Sequence, residues 1–285
     1  MTYKYKTGQT FEVNPTEILS TDGLISYWSL TEPDGVRRDI VGENHVYVTD
    51  PYDSFSTSLQ YGGTSIYPQA VASTLHSADA YVVSLDGNTT TDYTTNRDRC
   101  LATNDRFPHH VNGFKRAYSI AGWVYITHLF DDPTTSQFGM VAGNKNAMAS
   151  VSGSSGFGII QKDVSGDNRF NVGNQNNNQN DAGLTSTVNL SLSTWYFVCA
   201  TWKESTGART ITVNTTTDSE TVGATWNGIG TVDSTNCFYF GRQGNGAYPW
   251  TWPGYISHFS LWDRALSASE IAALYNNGTP NRLIP

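Results

Sequence analysis

A succession of short blocks rich in aromatic and β-branched residues, each ended by a polar or Gly-containing turn, is what most constrains the fold of this 285-residue chain. The blocks are Gly23–Leu30, Tyr118–Ile126, Gly156–Lys162, Arg169–Asn174, Trp195–Lys203, Arg209–Thr215, Cys237–Arg242 and Tyr255–Trp262. Several are apolar on both alternating faces: Trp195, Phe197 and Cys199 stand against Tyr196, Val198 and Trp202. That pattern predicts sheets stacked face to face, with an outer face also covered. Asp163–Asn168 and Glu204–Ala208 are short and polar and contain Gly, as hairpin connections need. Charged residues make up only 15% of the chain and hydrophobic residues 38%, enough for one large all-β core rather than a set of surface helices. No repeat of 20–50 residues is visible, so a propeller or solenoid is not indicated.

One segment has a different period. Ser267 and Glu270 have the S-x-x-E spacing of a capping box, and Leu266 with Ile271 can form a hydrophobic staple. Ile271, Leu274 and Tyr275 share a helical face, and Gly278 after two Asn predicts a left-handed stop. A helix of about three turns is marginal alone, so its apolar face must dock on the sheets.

The net charge of −8 argues against a nucleic-acid partner, which is held by Lys and Arg. No run approaches the roughly 18 apolar residues needed to cross a bilayer, and the first residues, MTYKYKTGQTFEV, lack the apolar core of a Sec signal. Cys100, Cys199 and Cys237 lack metal-site spacing; they read as buried free thiols, with a Cys199–Cys237 pair as the alternative. Asn171–Gly183 is low in complexity and reads as a solvated loop.

The blocks GLISYWSL, RDIVGENH, SLQYGG, YSIAGWVYI, WYFVCATWKESTGARTITVN, FYFGR and GYISHFSLWDRALSASEIAALYNNG, in that order, resemble the LamG-like, concanavalin A-like lectin/glucanase family. The resemblance covers roughly Gly23–Gly278. It implies an all-β, two-sheet antiparallel jelly-roll sandwich with one short C-terminal helix closing a sheet edge. Residues 1–22 then form an N-terminal arm, read as an anchoring or interface segment, and 23–285 the jelly-roll domain. Pro68–Arg116 is longer than the family places there; it is expected to be an elaborated rim loop or contact arm.

Relatives with this fold include glycoside hydrolases, whose retaining chemistry needs two carboxylates about 5 Å apart. The chain's E-x-D, Glu32-Pro33-Asp34, sits in a turn with no following acid, and G-x-S-x-G, P-loop and H-E-x-x-H motifs are absent. The expectation is therefore a non-catalytic binding or adhesion protein, with a structural assembly protein or a divergent glycoside hydrolase as alternatives. For ligand contact, Tyr248, Trp250 and Trp252 stand in a Pro-flanked loop that could offer flat platforms to sugar rings. Asn176, Asn178 and Gln179 could bond sugar hydroxyls, while sealing of the sandwich end or an oligomer interface is the other reading of the Trp pair. The family's Asp-x-x-Gly loop implies calcium at Asp39 and Asn44, though Ser257-His258 stands where the family usually has an acidic pair. The family's habit of acting outside cells, together with the missing Sec signal, points to an extracellular or virion surface, as in a phage tail component. The expected partners are a glycan or other surface polymer, other virion proteins and a second copy of the chain, with no membrane insertion.

Overall fold

The structure, a computed structural model, describes residues 2–4, 10–12, 21–33, 36–42, 44–49, 69–75, 79–85, 100–103, 117–130, 138–144, 156–175, 183–222, 238–241 and 252–283. Strands β1 (Thr2–Lys4) and β2 (Thr10–Glu12) pair with each other in a small separate sheet. There follow β3 (Leu24–Trp28), β4 (Val46–Thr49), β5 (Gln69–Ala72), β6 (Tyr81–Ser84), β7 (Cys100–Thr103), β8 (Ala117–Ile126) and β9 (Phe138–Asn144). The second half supplies β10 (Gly156–Val164), β11 (Asp167–Gln175), β12 (Leu184–Thr185), β13 (Thr194–Lys203), β14 (Ala208–Val213) and β15 (Thr216–Thr221). It ends with β16 (Phe238–Phe240), β17 (Gly254–Trp262) and helix α1 (Ala268–Tyr275).

Two antiparallel sheets form the sandwich that the sequence predicts. One runs β12-β11-β10-β9-β16-β7-β4, the other β15-β14-β13-β8-β17-β6-β5, with β3 also paired to β17. The inward residues of both sheets, among them Trp28, Ile120, Val124, Ile159, Phe170, Trp202, Phe238 and Phe259, make one continuous core. The predicted hairpin at Asp163–Asn168 is a two-residue turn in which Ser165 and Gly166 both have positive φ, and Asp163 accepts the Gly166 N–H at 2.7 Å.

Within Pro68–Arg116 the described residues are 69–75, 79–85 and 100–103, and their strands belong to the two sheets; the remainder of the expected rim loop or contact arm lies outside the described residues. The first of these strands form the β5–β6 hairpin at one end of the eight-stranded sheet, and β7 crosses to the other sheet, between β16 and β4. The outcome is physical: short alternating apolar stretches in the segment find backbone partners in both sheets, which satisfies their N–H and C=O groups.

Strand β17 changes partner midway. Tyr255 and Ile256 pair with β6, whereas Phe259 to Trp262 pair with β3. Between them lies a bulge: His258 and Phe259 together face the single residue Gly122 of β8. A Cβ at Gly122 would run into the Phe259 ring, so glycine there is a packing requirement.

Helix α1 closes the outer face of the eight-stranded sheet over Trp123, Phe197, Cys199 and Trp262. Cys199 is a buried free thiol, raised well above the usual thiol range by that burial. The capping box is present, with Ser267 and Glu270 each bonded to the other's backbone N–H. The helix is shorter than expected: Asn276 and Asn277 already adopt left-handed backbone at φ 43° and 53°, before Gly278 is reached. Arg264 donates two hydrogen bonds to Glu270, at 2.6 and 3.0 Å, and a third to the Asp22 carbonyl at 2.6 Å. The bonds from Arg264 pull the Glu270 carboxyl down to about 2 from 4.5, against an opposing push from burial. A folded-state value below the unfolded one gives stability that is full above pH 4.5 and lost as the pH falls from there toward 2. Glu270→Gln is expected to cost roughly 1 kcal/mol at pH 7 and to flatten the acid limb of stability, as read by thermal melts across that window.

Candidate functional site

Strand alternation turns Tyr196, Val124, Ile126 and Ile256 into the inter-sheet core, so Trp195, Tyr125 and Tyr255 point to the opposite, outer face. Register then lines them up across three neighbouring strands. Trp195 of β13 lies opposite Tyr125 of β8, Tyr125 opposite Tyr255 of β17, and Tyr255 opposite Ser84 of β6. Tyr125 and Tyr255 stack with centroids 5.1 Å apart and planes 8° from parallel, while Trp195 meets Tyr125 at 5.3 Å and 53°. All three are partly exposed. The Trp195 indole N–H donates to the Thr74 hydroxyl at 3.1 Å, which fixes its orientation. Helix α1 covers the next row of the same face, where Tyr275 stacks on Trp123 and leans on Phe197, each at 5.9 Å.

A row like this offers rigid apolar ring surface beside phenol hydroxyls. It suits a ligand that presents C–H faces and hydroxyls together, and its rings lose little conformational freedom on contact. In the sequence Trp195 reads as one of the alternating apolar residues of its block, and it does pack, partly buried, against the cluster under helix α1. The signal that could have found the row is the shared outward parity of Trp195, Tyr125 and Tyr255 near the ends of their blocks, but lining them up needs the pairing of strands 70 or more residues apart.

The loop residues singled out from the sequence fare differently. Tyr248, Trp250, Asn176, Asn178 and Gln179 lie outside the described residues. Trp252 is described, and it is not an exposed platform: it is 1% exposed, and its indole N–H donates to the Gln161 side-chain carbonyl at 2.7 Å. The physical reason is a buried polar cluster that needs this donor. Gln161 donates to the His128 carbonyl and to Asn168, both at 2.9 Å, and Asn168 exchanges two bonds with the Phe130 backbone. Trp252 completes the set from within the core.

The structure does bring Asp39 and Asn44 together, but in a way that does not fit calcium. Asp39 accepts hydrogen bonds from the backbone N–H groups of Tyr27, Val41 and Gly42 at 3.0 Å and of Asn44 at 3.2 Å, and from the Asn44 amide at 3.2 Å. Asn44 turns that same amide nitrogen to Ser26 at 2.8 Å. Five donors aimed at one carboxylate make a nest for negative charge, the reverse of an oxygen cage for a cation. Among the described residues no three His, Cys, Asp or Glu side chains are grouped to hold a metal ion. Among them also, no helix is long and apolar enough to cross a membrane.

The described strand carboxylates at i, i+2 spacing, Asp218 and Glu220 of β15, are engaged elsewhere. Asp218 accepts from the Thr187 backbone and hydroxyl at 2.8 and 3.1 Å, and Glu220 pairs with the buried Arg209.

Residues 88–272 match the family described as the concanavalin A-like lectin/glucanases superfamily. No curated protein matches the chain by sequence. Among solved structures, the binding domain of Paraclostridial Mosquitocidal Protein 1 matches with a TM-score of 0.58 at 14% identity, over 90% of this chain and 52% of that one. Trypanosoma rangeli sialidase in complex with the inhibitor DANA matches with a TM-score of 0.53 at 13% identity, over 90% of this chain and 33% of that one. The chain thus spans about a third of the sialidase's length, and at these identities the likeness is one of fold.

Proposed function

We propose that this chain, which belongs to the concanavalin A-like lectin/glucanases superfamily, is a non-catalytic binding protein that holds a glycan against Trp195, Tyr125 and Tyr255. The observation that carries the reading is the partly exposed row of three rings on an outer sheet face, one of them fixed by the Thr74 hydroxyl. Pyranose rings have the matching chemistry: an apolar C–H face and a rim of hydroxyls that the tyrosines can meet. The engagement of Asp218 and Glu220 in structural bonds supports a role without catalysis.

The test is a glycan array followed by binding titrations of the best hit. Trp195→Ala and Tyr255→Ala are each expected to weaken binding about tenfold or more, equivalent to roughly 1.4 kcal/mol, with the fold intact by circular dichroism. Unchanged affinity in both variants would overturn the placement of the site. Loss of self-association in place of glycan binding would reassign the row to a protein interface, and turnover of a polysaccharide would overturn the non-catalytic reading.

A further inference from the structure

Strand β6 follows β17 only as far as Ile256, and from Phe259 onward β3 takes the place beside β17. The hairpin of β5 and β6 is thereby turned out of the sheet, and residues 73–75 beyond β5 lie across its outer face. Leu75 packs against the cluster of Ala121, Trp123, Phe197 and Cys199 on β8 and β13. Thr74 meets the Trp195 indole although β17 and β8 stand between β6 and β13, a reach of three strand spacings or about 14 Å.

The segment that presents Thr74 is braced on both sides. Ser73 donates its N–H to the Ala80 carbonyl at 3.1 Å, and its hydroxyl accepts the Leu75 N–H at 3.2 Å. The buried Asp79 ties down the returning chain: one of its oxygens lies 2.9 Å from His258 Nε2, and the other accepts from Arg282 at 2.5 Å. His258 is aimed there by the β17 bulge, and its Nδ1 lies 2.6 Å from the Tyr27 hydroxyl.

Counting donors at Thr74 leaves one over. An indole N–H can only donate, so at 3.1 Å the Thr74 oxygen is the acceptor and its own O–H proton is not used in that bond. Thr74 is exposed and makes no second hydrogen bond among the described residues. A hydroxyl with an unspent proton is thus held beside the Trp195 ring, at the edge of the aromatic row.

We propose that Thr74 is the specificity-determining donor of this row: its hydroxyl gives a hydrogen bond to an equatorial oxygen of the pyranose that stacks on Trp195. The inference rests on the glycan reading of the row. Equatorial oxygens stand at the rim of a stacked pyranose, where a donor beside the indole meets them, whereas an axial hydroxyl on the stacked side holds the sugar off the ring. The ligand class is therefore a neutral pyranose with equatorial hydroxyls. A sugar lacking the contacted oxygen keeps the apolar contact and loses the bond, the kind of difference by which polar sites discriminate.

The test applies wild type, Thr74→Val, Thr74→Ser and Trp195→Ala to a glycan array carrying neutral oligosaccharides and their monodeoxy analogues, and titrates the hits. Thr74→Val keeps the side-chain shape and removes the donor, and is expected to weaken binding about fivefold or more. Its melting temperature should match wild type, because the indole N–H it frees is exposed to water. Thr74→Ser should bind as wild type does. Against the analogue that lacks the contacted oxygen, wild type and Thr74→Val should bind equally. A loss in Thr74→Val that is the same for every analogue would overturn the direct bond, since a residue that only orients the indole gives that result; no loss at all would overturn it too. Failure of the glycan reading shows elsewhere, as unchanged affinity in Trp195→Ala, and a wild type that binds no glycan overturns both.

Discussion

Trp28→Ala is expected to lower stability by about 3–5 kcal/mol, toward the upper end of large-to-small core substitutions. Trp28 is fully buried at the centre of the inter-sheet core, stacked on Phe238 at 5.5 Å and edge-on to Phe240 at 5.4 Å. Two rings of the facing sheet thus lose their common partner, and well-packed aromatic neighbours cannot collapse into a space of that size. The substitution also orphans a polar group, since the Trp28 indole N–H donates to the Asn44 carbonyl at 2.7 Å. Trp28→Phe separates the two contributions, retaining most of the packing and losing the hydrogen bond, with an expected cost of about 1–2 kcal/mol. Urea unfolding midpoints of the two variants measure the difference; a cost below about 1 kcal/mol for Trp28→Ala would contradict the described packing.

Asp39→Ala is the second large effect, about 3–5 kcal/mol, because five N–H contacts lose their acceptor in one step, the Tyr27 N–H among them being buried and the others partly so. The loop from Ile40 to Asn44 folds around that carboxylate, and its unfastening also removes the carbonyl that meets Trp28. Asp39→Asn keeps one carbonyl oxygen and should cost about half as much. Melts of the unaltered chain discriminate a nest from a metal site. If Asp39 serves only the backbone, the wild-type melting temperature is the same in excess calcium and in chelator, whereas a calcium ligand would raise it with calcium by mass action.

Much of the architecture was legible in the sequence because the strands that carry the core alternate strongly. The blocks around Trp123, Val198 and Ile256 fall within observed strands, and the capping box at Ser267 and Glu270 forms as its spacing predicts. The strands that escaped notice lack that signal. β9 holds two glycines in seven residues, and β15 is Thr-Thr-Asp-Ser-Glu-Thr, a polar edge strand whose side chains need not alternate because most of them are exposed. The end of α1 was misread because Asn can take the left-handed backbone usually assigned to Gly.

The site was less legible, for a different reason. Trp252 sits between prolines in a loop, a context that suggests exposure, but its fate is decided by Gln161, a polar side chain in the core that no periodicity reveals. The outer aromatic row and the Tyr27–His258–Asp79 chain of bonds depend on cross-strand register and on a bulge. Both arise from non-local pairing, which is invisible until the strands are placed side by side.

The path of Pro68–Arg116 sets limits on how this domain can be edited. A true surface loop could be shortened or exchanged between relatives as a cassette. Here β7 is an interior rung of the seven-stranded sheet and β6 a partner of β17, so the segment is stitched through both layers. Excising it would leave β16 and β4 facing a gap of a full strand width and would unseat the anchor at Asp79. Deleting the whole segment would therefore split the seven-stranded sheet rather than trim its surface.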